Sequence, residues 1–294
     1  MKTLNRRHFL RNTAGTVLAL TSVRSLFAGE YTSPYIDHMG LQIYTLRDAL
    51  KTDTPGTFKA VAEAGYKQVE IYGFPNAGPM LEAAKENGLA VNSSHIDVNT
   101  IVKAKDAELG EFKKNVDLAH SIGLSHFVIP YVPEPLRTNL DGYKALAEKF
   151  NQAAQISKQA GIQLCYHNHN FEFQPMEGGQ NGYDIFIAEF SPEMMFEIDV
   201  FWVKAAGQEP LELIEKLKGR VAQLHLKDLK KGIEIPTYGK LPEDAFKEIG
   251  NGMIPMEPIM AAAQAAGVKH CHVEQDQSPH PIESIQESMR HLKG

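Results

Sequence analysis

From residue 41 to the C-terminus, short apolar runs alternate with longer stretches whose apolar residues recur at helical spacing. The runs are LQIYTL (41–46), QVEIY (68–72), LAVNSS (89–94), HFVIPYV (126–132), IQLCYHN (162–168), MFEIDV (195–200), AQLHLKD (222–228) and KHCHVEQD (269–276). Between them the spacing predicts helices over 55–64, 78–87, 106–122, 140–160, 210–218, 256–266 and 282–292. Several of these helices run into a glycine, as in AEAGY, KENGL, HSIGL, KQAGI and QAAGV, the residue that most readily closes a helix. The next apolar run begins within about one to four residues of that glycine, a normal connection length.

Helix, glycine, strand is the punctuation of repeated βα units around a parallel sheet. Eight such runs in about 265 residues match a single-domain α/β protein of the closed (β/α)8 TIM-barrel type, over residues 29–294. An open doubly wound sheet is the alternative. Its dinucleotide-binding version lacks the GxGxxG it needs after the first strand. The Pro- and Gly-rich stretches 130–137, 174–182 and 232–242 then read as loops over one face.

Residues 1–28 stand apart. Arg6-Arg7 and Phe9-Leu10 precede a modest apolar run from Thr13 to Val23, and Ala28 offers a small residue for cleavage. The run is too short to span a bilayer and resembles a twin-arginine export signal, with an ordinary Sec signal as the alternative. The expected destination is the periplasm. Without that segment, which carries five cations and no acid, the formal charge moves from −6 to −11. So acidic a chain is a poor binder of phosphate backbones. Cys165 and Cys271 both lie inside apolar runs and read as buried free thiols, not a disulfide framework.

Polar residues collect at the ends of the apolar runs. Gln42 and Tyr44 belong to the first run and Glu70 to the second, with His95 just after the third. His167, His169, Asn170 and Glu172 follow the fifth, Glu197 and Asp199 the sixth, His225, Lys227 and Asp228 the seventh, and Glu274, Gln275 and Asp276 the eighth. Each has an ordinary explanation alone: a loop histidine with a hydrogen bond, or Asp199 as the cap of a following helix. In a parallel barrel, however, the C-terminal strand ends converge on one mouth. Burying His167, Asp199, His225 and Glu274 there without a partner or a cation is expensive. Two carboxylates and two imidazoles suit Mn²⁺, Co²⁺ or Zn²⁺ better than Ca²⁺, with Mg²⁺ kept as a further candidate.

These motifs resemble the sugar phosphate isomerase/epimerase family of xylose isomerase-like TIM barrels. The resemblance runs through GLQIYTLRD, VEIYG, YHNHNFEF, EIDVFW, GRVAQLHLKD and GVKHCHVEQD. It implies one divalent metal ion held by His167, Asp199, His225 and Glu274. Two positions depart from the family's ketose epimerases: His167 stands where they carry a glutamate, and Trp202 where they carry a histidine. The symmetric two-carboxylate epimerisation is thereby weakened, since proton removal and return on opposite faces suits two bases. A lyase or dehydratase fits as well, with Glu274 or His169 removing a proton beside a carbonyl and Lys227 protonating the departing oxygen.

Gln42, Tyr44, Glu70, His95, Asn170 and Trp202 are the expected substrate contacts, Trp202 by stacking on a sugar face, with packing under a loop as its alternative. Glu172 is either a carboxylate orienting a histidine or a plain loop charge. The expected partner is a small-molecule sugar or keto-glycoside. No nucleic acid is expected, nor stable membrane insertion once the signal is removed, and assembly into a homo-oligomer is left open. The competing classes are a ketose 3-epimerase or sugar isomerase, a multi-metal phosphodiesterase, which the charge disfavours, and a non-catalytic periplasmic sugar-binding barrel.

Overall fold

Eight strands close into a parallel barrel: β1 (Gly40–Gln42), β2 (Gln68–Phe74), β3 (Ala90–Ile96), β4 (His126–Ile129), β5 (Gln163–His167), β6 (Met194–Asp199), β7 (Val221–Leu226) and, after a small hairpin, β10 (His270–Val273). The hairpin pairs β8 (Asp228–Leu229) with β9 (Phe246–Lys247) in antiparallel fashion. This computed structural model describes residues 33–105 and 108–294; the export-signal reading of residues 1–28 lies outside them. Pro34–Gly294 form one body, the expected single-domain (β/α)8 barrel. Among the described residues no helix is long and apolar enough to cross a membrane.

Side chains alternate across each strand. Outward-facing Leu41, Val69, Phe127, Leu164, Tyr166, Phe196, Ile198 and Leu224 are buried in the main apolar core. Fully burying each such side chain contributes roughly 1.5–3 kcal/mol. The inward positions are different. Val128, Cys165 and Ala222 make a small separate apolar cluster, while Glu70, Ser93, Glu197, Gln223, His225 and His272 are polar and fully buried. Barrel interiors are ordinarily filled by Val, Ile and Leu. Here the barrel axis is largely polar.

Helices close as the glycines require: Gly65 ends Thr54–Ala64 and Gly267 ends Met256–Ala266, both left-handed at φ 103° and 83°. Several elements differ from their sequence patterns. The first run keeps three strand residues and then winds into a 3-10 turn, Ile43–Leu46, because the Gln42 side chain accepts a hydrogen bond from the Tyr44 backbone at 3.0 Å. Gly182–Glu189 is a helix without a matching expectation, whereas Val200–Ala205 is the helix implied by reading Asp199 as a cap. The second begins at Asp199, whose carboxylate caps it. Asp228 anchors the hairpin by accepting four backbone N–H groups, from Leu229, Gly250, Gly252 and Ile254, at 2.9–3.0 Å. Any side chain at Gly252 would collide with that carboxylate. Cys165 and Cys271 are buried free thiols, as their apolar surroundings imply.

Candidate active site and metal centre

The C-terminal strand ends open into a cavity of about 830 Å³. Of the residues singled out above, Tyr44, His95, His167, His169, Trp202, Lys227, Glu274 and Asp276 line it. Gln42, Glu70, Asn170, Asp199 and His225 do not; they lie behind or beneath its floor, each at most 3% exposed.

At the floor, Asp199, His225 and Glu274 each offer a ligand-type atom, and these atoms lie within 4.8 Å of one another. Parallel pairing builds this directly, since Asp199 of β6 sits opposite His225 of β7 and Glu274 follows β10. His225 Nδ1 lies 2.9 Å from Glu274 Oε2. Asp199 divides its work: Oδ1 accepts the backbone N–H groups of Phe201 and Trp202, at 2.9 and 3.2 Å, while Oδ2 is buried and receives no hydrogen bond from the described residues. His167 Nε2 stands 3.8 Å from that orphaned oxygen. Its other nitrogen faces Glu197 at 3.0 Å, so His167 shares a cluster with His95, Glu197 and His225.

Lys227 supplies the positive charge. Its ammonium lies 2.7 Å from Asp276, 2.8 Å from Glu274 and 3.1 Å from Asp199 Oδ2, with 1% of the side chain exposed. Burial disfavours the charge, but Asp199, Asp276 and Glu274 outweigh it and hold the Lys227 pKa well above the usual value. Burial likewise resists ionisation of Glu274, yet Lys227 and His225 keep it well below the ordinary carboxylate range. Asp276 goes the other way, pushed up to about 6 by burial and by Glu274. Asp228 plays no part in this charge balance.

Beneath the floor the residues from β1 to β3 take hold of those from β6 and β7. Glu70 Oε1 lies 2.6 Å from His225 Nε2, 3.0 Å from His95 and 2.7 Å from the Gln42 amide. Gln223 donates to Glu70, Ser93 and Glu197 at 2.8, 2.8 and 2.5 Å. Burial disfavours a charged His225, but Glu197 and Glu274 outweigh it and raise its pKa well above normal. Burial also opposes ionisation of Glu70, which His95 and His225 nevertheless keep well below the ordinary range.

One wall is aromatic. His169 packs between Trp202 (ring centroids 5.1 Å) and Phe171 (5.3 Å, stacked), with Tyr131 edge-on at 6.0 Å. Its Nδ1 is buried without a partner, and burial followed by Lys227 lowers its pKa to about 3, so the ring is neutral. Glu172, fully buried, accepts from the His169 backbone at 2.8 Å and from the Tyr166 hydroxyl at 2.5 Å, and so fixes the loop that carries this histidine. Asn170 ties the same loop to the carbonyls of Thr237 and Gly239 at 3.0 and 2.8 Å.

Glu197, Gln223 and His272 were given no role from sequence. Each sits two residues before an expected ligand, in EID, QLH and HVE, and period-two alternation places it on the same inner face one layer deeper. Tyr131 and Arg47 sent no such signal.

The donor set fits a divalent ion. Asp199, His225 and Glu274 would hold it, with His167 adjacent: their ligand-type atoms lie within 4.8 Å of one another, and Asp199 Oδ2 accepts no hydrogen bond and already draws the Lys227 cation to 3.1 Å. Comparison with known proteins agrees with the architecture. The chain is 29% identical over 167 residues to an inosose dehydratase of Clostridium perfringens, spanning 53% of this chain and 55% of the relative. It therefore spans about half the length of that curated relative. A Clostridium botulinum inosose dehydratase matches at 23% identity over 79% of this chain and 86% of its own. A crystal structure of a sugar phosphate isomerase/epimerase from Parabacteroides distasonis superposes with a TM-score of 0.71 at 25% identity, covering 87% of this chain and 98% of that one. Residues 58–294 match the xylose isomerase-like TIM barrel model, and the chain belongs to that family.

Proposed function

We propose that this protein is a divalent-metal-dependent enzyme that acts on a keto-sugar or keto-glycoside. It would remove a proton next to the carbonyl and expel a leaving group, an elimination of the lyase or dehydratase type. The observation that carries the reading is the convergence of Asp199, His225 and Glu274 on the floor of a cavity whose wall bears Lys227, His169 and Trp202. Similarity to inosose dehydratases supports elimination.

A bound divalent ion would supply Lewis acidity toward the substrate carbonyl. The chain's own residues do the rest. Glu274, kept ionised by Lys227 and His225, is available to accept the proton, and His169 enters neutral with an unpartnered Nδ1 that can meet a substrate hydroxyl. Lys227 stays protonated among its carboxylates and can donate to an oxygen that develops negative charge. Trp202 offers a face for a sugar ring, and Glu172 and Asn170 hold the His169 loop in place. The proposal includes a periplasmic location, resting on Arg6-Arg7 and the apolar run after them. There, free sugars and glycosides are the more accessible substrates.

The test is incubation of the purified protein with a 3-keto-glycoside and Mn²⁺, Co²⁺ or Zn²⁺. Release of the aglycone with growth of enone absorbance, abolished by chelation, is the expected result. A second reading, isomerase or epimerase, has support from the Parabacteroides structure. Inversion at one carbon with no bond cleavage would select it. Binding without turnover of either kind would leave the sugar-binding barrel.

A further inference from the structure

Below the floor lies a second cluster that the reading above does not use as ligands. Glu70, Glu197, His225 and His272 each present one ligand-type atom, and these atoms lie within 4.8 Å of one another. All four residues are fully buried, and none lines the cavity. They come from β2, β6, β7 and β10, so the cluster joins one side of the barrel to the other across its axis.

His272 makes the cluster more than a set of acids. Both of its ring nitrogens are buried with no hydrogen-bond partner among the described residues, and the neighbouring Gln223 Oε1 is equally unpartnered. A histidine buried in a closed interior with neither ring nitrogen partnered points to a missing ligand. The seat of the ring is also built: opposite it stands Gly40, where any Cβ would collide with His272 Cδ2. A larger residue there would push the imidazole out.

We propose that Glu70, Glu197, His225 and His272 bind a second divalent transition-metal ion, of the zinc kind, which braces the barrel from within. Two carboxylates and two imidazoles with no open position are the donor set of a closed, structural site rather than a catalytic one. Ligand atoms around a four-coordinate zinc at about 2.0–2.1 Å stand about 3.4 Å apart, so no pair need close by more than about 1.4 Å, within the range of side-chain rotation. His225 faces both sites, with Nε2 toward Glu70 at 2.6 Å and Nδ1 toward Glu274 at 2.9 Å, so with both ions bound it would bridge them as an imidazolate, its ring protons released to solvent. The competing occupant is a water molecule that satisfies His272 and Gln223.

Because His225 is shared with the catalytic-site reading, the experiment locates each ion separately. Crystals of the wild-type chain grown with Zn²⁺ or Co²⁺ are mapped by anomalous diffraction at the metal edge, and ions per chain are counted by elemental analysis. Two ions are expected, with one peak between Glu70 and His272 and one between Asp199 and Glu274. His272→Gln and His272→Leu should each reduce the count by one, remove the lower peak and leave the upper. A single peak at Asp199–Glu274, or an undiminished count in folded His272 variants, overturns the proposal in favour of a water. A single peak at Glu70–His272 sustains it and overturns the catalytic-site reading instead. The wild-type map decides the matter even where the variants fail to fold.

Discussion

The two halves of the barrel present polar groups of similar kind and use them differently. From β5 onward the strand ends carry His167, Asp199, Lys227 and Glu274, which line the cavity or face one another around the Asp199 carboxylate. Of the β1–β3 residues Gln42, Glu70 and Ser93, all fully buried, Glu70 and Ser93 spend hydrogen bonds on Gln223 and His225 from the opposite side, and Gln42 holds Glu70. One half therefore supplies groups free to meet a cation or substrate, and the other half holds them in place. A carboxylate is a ligand or a support according to how many of its lone pairs the fold has already taken.

Substitutions can break that division. The largest effect is expected from Asp199→Ala or His225→Ala. Each should fold, yet lose its mouth metal and more than about 100-fold in turnover, beyond what loss of a supporting partner usually costs. Metal analysis beside kinetics checks this, and full metal occupancy would remove these residues from the site.

Lys227→Met comes next. Without the ammonium, Asp199, Glu274 and Asp276 face one another uncompensated, and the metal-free protein should lose about 3–5 kcal/mol in chemical denaturation. Added divalent ion should recover part of that loss, because it restores positive charge at the same oxygens. A metal-free variant as stable as wild type would contradict the charge balance described here.

Glu70→Gln sharpens the comparison from the supporting side. It keeps the shape but weakens the hold on His225 Nε2, and metal affinity should fall about 10–100-fold with folding intact. If Glu70→Gln matched Asp199→Ala in effect, the distinction between the two halves would disappear.

The smallest effect concerns Glu172. Burial raises its pKa to about 7 against an ordinary value of 4.5, with the Tyr166 hydrogen bond opposing the shift. Between those values the unfolded chain has lost the proton that the folded chain keeps, so this group makes stability decline as pH rises. Denaturation curves across that window should flatten in Glu172→Gln. An unchanged slope would show that Glu172 is already ionised in the folded state.

Much of the barrel was legible along the chain. The eight strands, the helix-closing glycines and the convergence of polar strand ends follow from local rules of alternation and turn chemistry, which read only a residue and its near neighbours. The ligand candidates Asp199, His225 and Glu274 were legible for the same reason, since strand ends of a parallel barrel meet wherever the barrel closes. The short first strand was not, because a side-chain contact of Gln42 bends the chain before its apolar run ends. Nor was the helix Gly182–Glu189, whereas Val200–Ala205 was legible through Asp199 as its cap.

By itself, then, the sequence determined the number and order of the βα units, the acidic character of the chain and the residue types gathered at the barrel mouth. Tertiary structure alone decided their roles. It sent Gln42 and Glu70 beneath the floor, surrounded Lys227 with three carboxylates, Asp199 Oδ2 among them, and brought His272 together with Glu70 and Glu197. The physical reason is that hydrogen bonds and charges are satisfied across the barrel, between strands far apart in the chain, 155 residues for Glu70 and His225. Whether a buried group is spent or free depends on those distant partners, which no local pattern encodes.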